Sequence, residues 1–309
     1  MFNEVASIKV IGIGKSGSRA IGFMQEADRI NQRHGIEYAA ICMDASDSAP
    51  AGSDRIPTID DLFGGAPVED GFEANEETWE RVRQLIGNAD MVILVLALGC
   101  RASAEAARIV AQAGREAGVL TVVAASRPLP FEGRKRTDEA NRGLAALLAV
   151  ADSVLVFSPE HLAAPTDAGP CSLADLQQRI AGTFHAFVRG ITDCLIIPGL
   201  ICTDFADVKF LLSRGGLLYF GKGTGRGDNR AVDAVMMAMN SPLFEGNPRK
   251  ARSIFLTLLG GPDMNLSEVN AACTALTRMV DENADLIFSN AMTEHDDETV
   301  SVTIVAGMR

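Results

Sequence analysis

Hydrophobic residues in the first half of the chain alternate between short continuous runs and runs at helical spacing. Residues 91–98 are apolar throughout, which is typical of a strand buried on both faces of a sheet. Similar runs predict strands at 7–13, 38–43, 120–125 and 153–157. Apolar positions three and four residues apart predict helices between them, including 103–117 and 137–150.

This alternation predicts the fold class of the first half. Strands that are separated by helices of this length form parallel sheets, and the helices cover both faces. We therefore expect an α/β domain with a Rossmann-type, doubly wound parallel sheet of the nucleotide-binding kind. A stretch rich in Pro, Ala and Gly at 161–172 breaks the alternation and ends this domain.

The second half has a different pattern. Residues 173–197 predict one long helix that ends before Pro198 and Gly199. Shorter elements follow, and we interpret the glycine-rich run 221–227 as a flexible surface turn without a ligand. The predicted organisation is a nucleotide-binding-type domain over 1–172, a long helix over 173–197 and a smaller α/β domain over 198–309.

Composition and charge exclude several classes of protein. The 309 residues carry 28 basic and 40 acidic side chains, a net charge of −12, which offers little attraction to nucleic acid or an anionic bilayer. The longest apolar run is far shorter than the ~20 residues that cross a bilayer, and the N-terminus shows no secretory signal pattern. We expect a cytoplasmic protein with no nucleic-acid partner and no direct membrane insertion.

The six cysteines and four histidines show no spacing typical of metal ligands or of a disulfide framework. We expect reduced thiols that pack as small hydrophobic side chains, and no metal site.

A glycine-rich loop follows the first predicted strand. Gly12, Gly14 and Gly17 form a G-x-G-x-x-G pattern that opens a helix, and Asp44 ends the second strand. Glycines here let backbone N–H groups approach a phosphate at the positive end of a helix. A tight strand-to-helix turn without a ligand gives the same pattern. A nicotinamide dehydrogenase also carries it, but no His or Lys stands out as a proton donor.

Longer motifs resemble the FtsZ/tubulin family, and bacterial FtsZ in particular. They are IKVIGIG at 8–14, ADMV at 89–92, SRPLPFEGRKR at 126–136, PGL at 198–200, DFADV at 204–208 and SPL at 241–243. The third resembles the family's TRPFTFEGKKR, and all stand in the family's order over nearly the whole chain. The resemblance implies a GTP-binding domain, a core helix, a C-terminal activation domain and assembly into head-to-tail filaments.

The phosphate loop departs from the family pattern. The family's GGGTGTG is replaced by GCRASAE at 99–105, so only Gly99 survives. We expect Glu105 to lie in the first turn of the next helix, where its carboxylate would satisfy the helix dipole that otherwise favours a phosphate. Gln177 and Ala181 stand where the family contacts guanine with a Phe and an Asn, and Pro159 replaces a ribose-side Asn.

These departures predict weak or absent binding of GTP or GDP, with Mg²⁺ only where GTP binds. Residues 64–67 resemble the loop that approaches the γ-phosphate. If a nucleotide binds, the resemblance and the neighbouring cations assign it to Gly12, Gly14, Lys15, Gly17, Asp44, Gly99, Arg101, Glu132 and Arg136.

Catalysis in the family needs two subunits, because a loop of one carries acids to the nucleotide of the next. Residues 202–207 resemble that loop and keep Asp204 and Asp207, while Cys202 replaces the family's Asn. These acids are the predicted catalytic residues of an active enzyme. Capping of the following helix is the alternative role for Asp204.

The altered pocket gains three cations, and two hypotheses account for them. In the first, Asp204 and Asp207 of one subunit pair with Lys15, Arg19 or Arg101 of the next, so that direct ion pairs replace GTP and its metal. In the second, these cations pair inside their own subunit with Glu105, Asp44 or Glu132.

The favoured function is an FtsZ-like cytoskeletal or scaffold protein that forms head-to-tail filaments, with weak or absent GTP binding and hydrolysis. It would serve bacterial cell division or membrane remodelling through partners. The alternatives are an active GTPase with an unorthodox phosphate loop and a non-polymerising regulator of a true FtsZ. We expect other copies of the chain as partners, with FtsZ or a membrane-tethering protein as further candidates. A partner would be needed to hold the protein at a membrane, because the chain ends beside its last strand.

Overall fold

The structure is a computed structural model. It describes residues 6–31, 34–43, 58–63, 74–163, 170–197, 199, 201, 203–214, 216–244, 246–292 and 298–308. The chain divides into two compact units, Ala6–His185 and one that contains Ala186–Arg309. The division falls inside the helix Leu173–Ile196, whose ends lie close to the predicted boundaries at 172 and 197.

In the described residues of the first unit, five strands form a parallel sheet. In chain order the strands are β1 (Ile8–Ile13), β2 (Ile36–Ile41), β3 (Met91–Ala97), β4 (Leu120–Ser126) and β5 (Ser153–Phe157). Their order across the sheet is β2-β1-β3-β4-β5. The helices are α1 (Gly14–Ile30), α2 (Ile59–Phe63), α3 (Glu76–Ile86), α4 (Arg101–Glu116), α5 (Arg134–Val150) and the start of α6 (Leu173–Ile196).

The strand composition explains why this sheet is covered on both faces. Every residue of β1, β4 and β5 is buried, as are the first six residues of β3. A strand buried at successive positions has apolar contacts on both sides of the sheet, and α1 and α4 supply part of that cover. The predicted Rossmann-type domain is confirmed.

The second unit contains a mixed sheet. Its strands are β6 (Leu217–Arg226), β7 (Ser253–Gly260), β8 (Asp285–Met292) and β9 (Thr299–Gly307), in the order β6-β9-β7-β8. β9 is antiparallel to β6 and β7, and β7 is parallel to β8. The helices that begin in this unit are α7 (Phe205–Leu212), α8 (Arg230–Met239) and α9 (Leu266–Thr277), and α8 and α9 contribute to a core of Ala, Val, Ile and Leu side chains.

The glycine-rich run 221–227 was predicted as a surface turn, and that prediction is wrong. Its first six residues extend β6 and pair with β9. A Cβ added to Gly221, Gly223 or Gly225 would overlap with a backbone carbonyl of α8. The glycines therefore form a flat strand surface that lets this helix approach the backbone closely.

None of the helices that the structure describes is long and apolar enough to cross a membrane.

Candidate functional site: a cavity at the carboxyl ends of the parallel strands

A cavity of about 430 Å³ lies in the first unit, at the carboxyl ends of its parallel strands. Ile13 at the end of β1, Ala97 at the end of β3 and Ser126 at the end of β4 line it. Crevices at this edge of an open α/β sheet are the usual ligand sites of such folds. The volume falls within the ~300–1,000 Å³ range of small-molecule sites.

The predicted glycine loop is a direct strand-to-helix junction at this edge, because β1 ends at Ile13 and α1 begins at Gly14. Gly14 has a φ of +71°, a conformation that L-amino acids with side chains rarely adopt. A Cβ on Gly17 would overlap with the carbonyl oxygen of Val95, and one on Gly12 with the carbonyl of Gly17. The close approach of α1 to β3 therefore requires Gly17, and its close approach to β1 requires Gly12, with or without a phosphate.

The first turn of α4 contacts the start of α1 directly. A Cβ on Gly14 would lie 2.5 Å from Ser103 Oγ, and the same hydroxyl lies 3.5 Å from Met43 Sδ. The Ser103 side chain thus packs against the first residue of α1.

The starts of α1 and α4 have an arrangement that favours anions. In the described part of the chain, Ile13 before α1 and Cys100 before α4 make no side-chain cap, and neither first turn contains an acid. The first N–H groups of each helix lack intrahelical acceptors, and the helix dipole places partial positive charge there. Cys100 lines the cavity together with Ser103.

The expectation for Glu105 is wrong. Because α4 begins at Arg101 and not at Ser103, Glu105 lies in the second turn, and it pairs with Arg108 at 2.7 Å. Its carboxylate therefore does not neutralise the start of the helix.

Two of the predicted cations line the cavity without a partner in the described part of the chain. Lys15 and Arg19 lie one turn apart on α1, are exposed and form no ion pair with any residue that the structure describes. Arg136 also lines the cavity, but it is ion-paired with Glu132, which lines it too. Arg127 lines the cavity as well, and its Nη1 donates to the uncharged side chain of Asn141. Lys15, Arg19 and Arg127 are therefore the lining cations that form no ion pair with the described residues.

The structure places Arg101 differently. It does not line this cavity, and its Nη2 donates to Glu139 Oε1 at 2.8 Å. Neighbouring Gly99, with a φ of +95°, packs against the backbone of Arg136. Arg101 thus pairs inside its own subunit, with Glu139, an acid outside the predicted set.

The positions aligned with the family's base contacts face the cavity. Gln177 and Ala181 on α6 line it with Leu176 and Ile180, and Pro159 lines it after β5. Among these residues only Gln177 carries a side-chain donor or acceptor. Asp44 and residues 64–67, the other predicted contacts, lie outside the described residues.

Asp204 and Asp207 belong to the second unit, where they cap α7. Asp204 Oδ1 accepts a hydrogen bond from the N–H of Asp207 at 2.9 Å, and Asp207 Oδ2 accepts one from the N–H of Asp204 at 3.4 Å. Both side chains are exposed. The capping role is therefore observed, and each bond uses one oxygen of its carboxylate. Cys202 lies outside the described residues.

A parallel sheet with a glycine loop and a cavity at its strand ends defines a Rossmann-type nucleotide-binding fold. The sequence model of the Tubulin/FtsZ family GTPase domain matches residues 7–166, and that of the FtsZ family C-terminal domain matches residues 216–309. The chain belongs to the tubulin/FtsZ family, and the resemblance noted in the sequence is confirmed.

Solved structures agree with this assignment. A tryptophan-to-tyrosine mutant of FtsZ from M. jannaschii is 29% identical, with a TM-score of 0.85 over 98% of this chain and 91% of that one. An empty FtsZ dimer from the same organism is 26% identical, with a TM-score of 0.82 over 99% and 89%. CetZ2 from Haloferax volcanii, a GTPγS-bound protofilament, is 19% identical, with a TM-score of 0.78 over 97% and 92%, which shows a shared fold.

Proposed function

We propose that this protein is an FtsZ-like cytoskeletal protein that assembles head-to-tail into filaments, with weak or absent GTP binding and hydrolysis. The observation that carries the proposal is the contact of Ser103 with Gly14, whose missing Cβ would lie 2.5 Å from Ser103 Oγ. In the family pattern the loop after β3 is almost entirely glycine, so its backbone can reach a phosphate. Here a side chain takes part of that space.

Self-association is supported by the relatives, two of which were solved as a dimer and as a protofilament. In a head-to-tail polymer, the acid-bearing loop of one copy meets the cavity of the next. The exposed pair Lys15 and Arg19 has no ion pair with the described residues, whereas Arg101 is held by Glu139. We therefore assign the intersubunit contacts of Asp204 and Asp207 to Lys15 and Arg19.

These contacts contribute modestly to affinity. Exposed ion pairs are worth about 0–1 kcal/mol each, and complementary charges act mainly on the register and the rate of association. Apolar contacts between subunits would supply most of the stability. A role in cell division or membrane remodelling would then depend on partner proteins that hold the filament at its site.

A second candidate function is an active GTPase with an unorthodox phosphate loop. The uncapped starts of α1 and α4 and the cations Lys15 and Arg19 favour it, because together they would attract a polyphosphate. Stoichiometric GTP in the purified protein, and a turnover rate that rises with protein concentration, would support this candidate over the first.

A charge exchange between two variants tests the head-to-tail contact. Variant one carries Lys15→Glu and Arg19→Glu, and variant two carries Asp207→Lys. Alone, each would place like charges across every interface and assemble poorly. In an equimolar mixture, the two variants can alternate along the filament. Each interface then joins opposite charges, either in the native arrangement or in the reversed one, so pelleting should recover. Recovery only when wild-type protein is added, and not in the mixture of variants, would contradict the assigned pairs.

A further inference from the structure

One wall of the cavity at the strand ends is apolar. On α6, Leu176, Ile180 and Ala181 lie four and five residues apart, on one face of the helix, and line the cavity together. Pro159, which follows β5, also contributes to the lining. Within the described residues, Gln177 is the one polar side chain that α6 places at the cavity. A ligand group against this wall therefore meets mainly hydrocarbon.

The apolar wall continues to the surface at the first residue of α6. Leu173 lines the cavity, and it is 68% exposed. A leucine side chain in water lacks the stabilisation that burial of its apolar surface would give. An apolar ligand group that covers Leu173 from within the cavity would gain part of that stabilisation.

The cavity also has a basic side. Within the described residues, four basic side chains and one acidic side chain line it, a local charge of +3 in a chain whose net charge is −12. They are Lys15 and Arg19 on α1, Arg127 after β4, Arg136 on α5 and the acid Glu132. Arg136 pairs with Glu132. The charge of the other three is therefore not neutralised by an ion pair with a described residue.

We propose that this cavity binds a phosphate monoester whose organic group is a short hydrocarbon. The head group would lie among Lys15, Arg19 and Arg127, because guanidinium and ammonium groups bind phosphate oxygens through charge-assisted hydrogen bonds. The hydrocarbon would lie against α6 and cover Leu173. The wall suits a nucleoside less well, since the polar edge of a base would lose hydrogen bonds to water there and find one side-chain partner, Gln177.

This inference rests on the proposed function in one respect. Lys15 and Arg19 are the cations that we assign to the acids of the next copy, so the ligand and the neighbouring subunit would share them. Ligand binding is measured on dilute protein, whereas assembly is measured by pelleting. Ligand binding as expected from a chain that forms no filaments would contradict the proposed function alone.

Calorimetric titration with a series of alkyl phosphates tests the hydrocarbon part of the site. The probes are ethyl, butyl and hexyl phosphate, each added to dilute, nucleotide-stripped protein. Burial of one methylene group tightens binding about fourfold, so the dissociation constant should fall steeply from ethyl to hexyl phosphate. A constant for hexyl phosphate no lower than that for ethyl phosphate, or no measurable binding of either, would overturn the proposal.

A matched pair of leucine variants locates the hydrocarbon. Leu173→Gln should weaken the binding of hexyl phosphate about fivefold and leave that of ethyl phosphate unchanged. Leu266→Gln is the control, because Leu266 is likewise the first residue of a helix, α9, and is 75% exposed, but it lies outside the cavity. Equal effects of the two substitutions would overturn the proposal.

A matched pair of arginine variants locates the head group. Arg19→Gln should weaken the binding of all three alkyl phosphates about fivefold. Arg29→Gln, on the same helix but outside the cavity, should not. All four substitutions change exposed residues, so each variant should melt like the wild type. GTP that binds more tightly than hexyl phosphate would overturn this choice of ligand and would also contradict the proposed function.

Discussion

Arg101 donates to Glu139 at 2.8 Å, so the first residue of α4 is bound to the second turn of α5 in the same subunit. This ion pair directs Arg101 into a hollow between those helices and away from the cavity at the strand ends. The cations that line that cavity without an ion pair to the described residues are Lys15 and Arg19 on α1 and Arg127 after β4.

Charge reversal separates the two sets of cations. Arg101→Glu would place a carboxylate beside Glu139 and is expected to lower the free energy of unfolding by about 1–3 kcal/mol. Assembly, measured at a temperature where the variant is folded, should not change. Lys15→Glu should leave the free energy of unfolding within about 0.5 kcal/mol of wild type and weaken pelleting. Chemical denaturation and sedimentation measure both quantities. The reverse pattern would show that Arg101 contacts the neighbouring copy.

The amino-acid pattern predicted the sheet of the first unit because continuous apolar runs such as 91–98 fit only an interior strand. It failed at 221–227, since a glycine run is ambiguous between a turn and a strand that packs on a helix. The start of α4 was misplaced by two residues, which moved Glu105 into the wrong turn.

At the site, the sequence indicated the glycine loop and the changed base contacts. It did not indicate that Ser103 packs on Gly14 or that Arg101 pairs with Glu139. Both contacts join residues far apart in the chain, and each depends on how two helices or loops pack in three dimensions.

The close packing of α4 against α5 predicts that alanine substitutions at two helical glycines change the stability of the protein in opposite directions. Gly143→Ala adds a methyl group 2.9 Å from the Cβ of Ala104, which should cost about 1–3 kcal/mol. For Gly182→Ala, inside α6, the nearest described atom outside the helix backbone is Phe23 Cζ, 3.9 Å from the added methyl group. It should stabilise the protein by up to ~1 kcal/mol through helix propensity. Urea denaturation of both variants checks this, and equal destabilisation would contradict the close packing at Gly143.

The cap of α7 allows the structural and chemical roles of Asp204 to be separated. Asp204→Ala removes the side-chain acceptor for the N–H of Asp207 and should cost about 1 kcal/mol. Asp204→Asn keeps an acceptor and removes the charge, so stability should stay close to wild type while assembly weakens. Denaturation and pelleting of both variants test this. If the Asp204→Asn variant assembles as well as the wild type, Asp204 acts only as a helix cap.

The second unit contains an acid-sensitive ion pair. Buried Arg230 donates to Glu268 at 2.7 Å and pairs with Asp263 at 2.6 Å. Hydrogen bonding from Arg230 lowers the pKa of Glu268 below its ordinary value of 4.5. Because the folded-state pKa is the lower one, this stabilisation is present above pH 4.5 and is lost as the pH falls through the folded-state value.

Glu268→Gln should therefore destabilise the protein by about 2 kcal/mol at neutral pH and flatten the loss of stability below pH 4.5. The exposed acid Glu282, which has no ion pair within the described residues, supplies the control variant Glu282→Gln. A pH profile of Glu268→Gln that is parallel to that of wild type would show that this pair does not cause the acid sensitivity.

The central claim is that the cavity at the strand ends has become mainly a contact between subunits. High-speed pelleting of nucleotide-stripped protein, with and without GTP and Mg²⁺, tests it most directly. We expect sedimenting filaments without nucleotide, no increase on addition of GTP, and dissolution at raised salt because screening weakens the ion pairs that guide assembly. Assembly that requires GTP would contradict the claim and would make Asp204 and Asp207 the catalytic acids of a working GTPase.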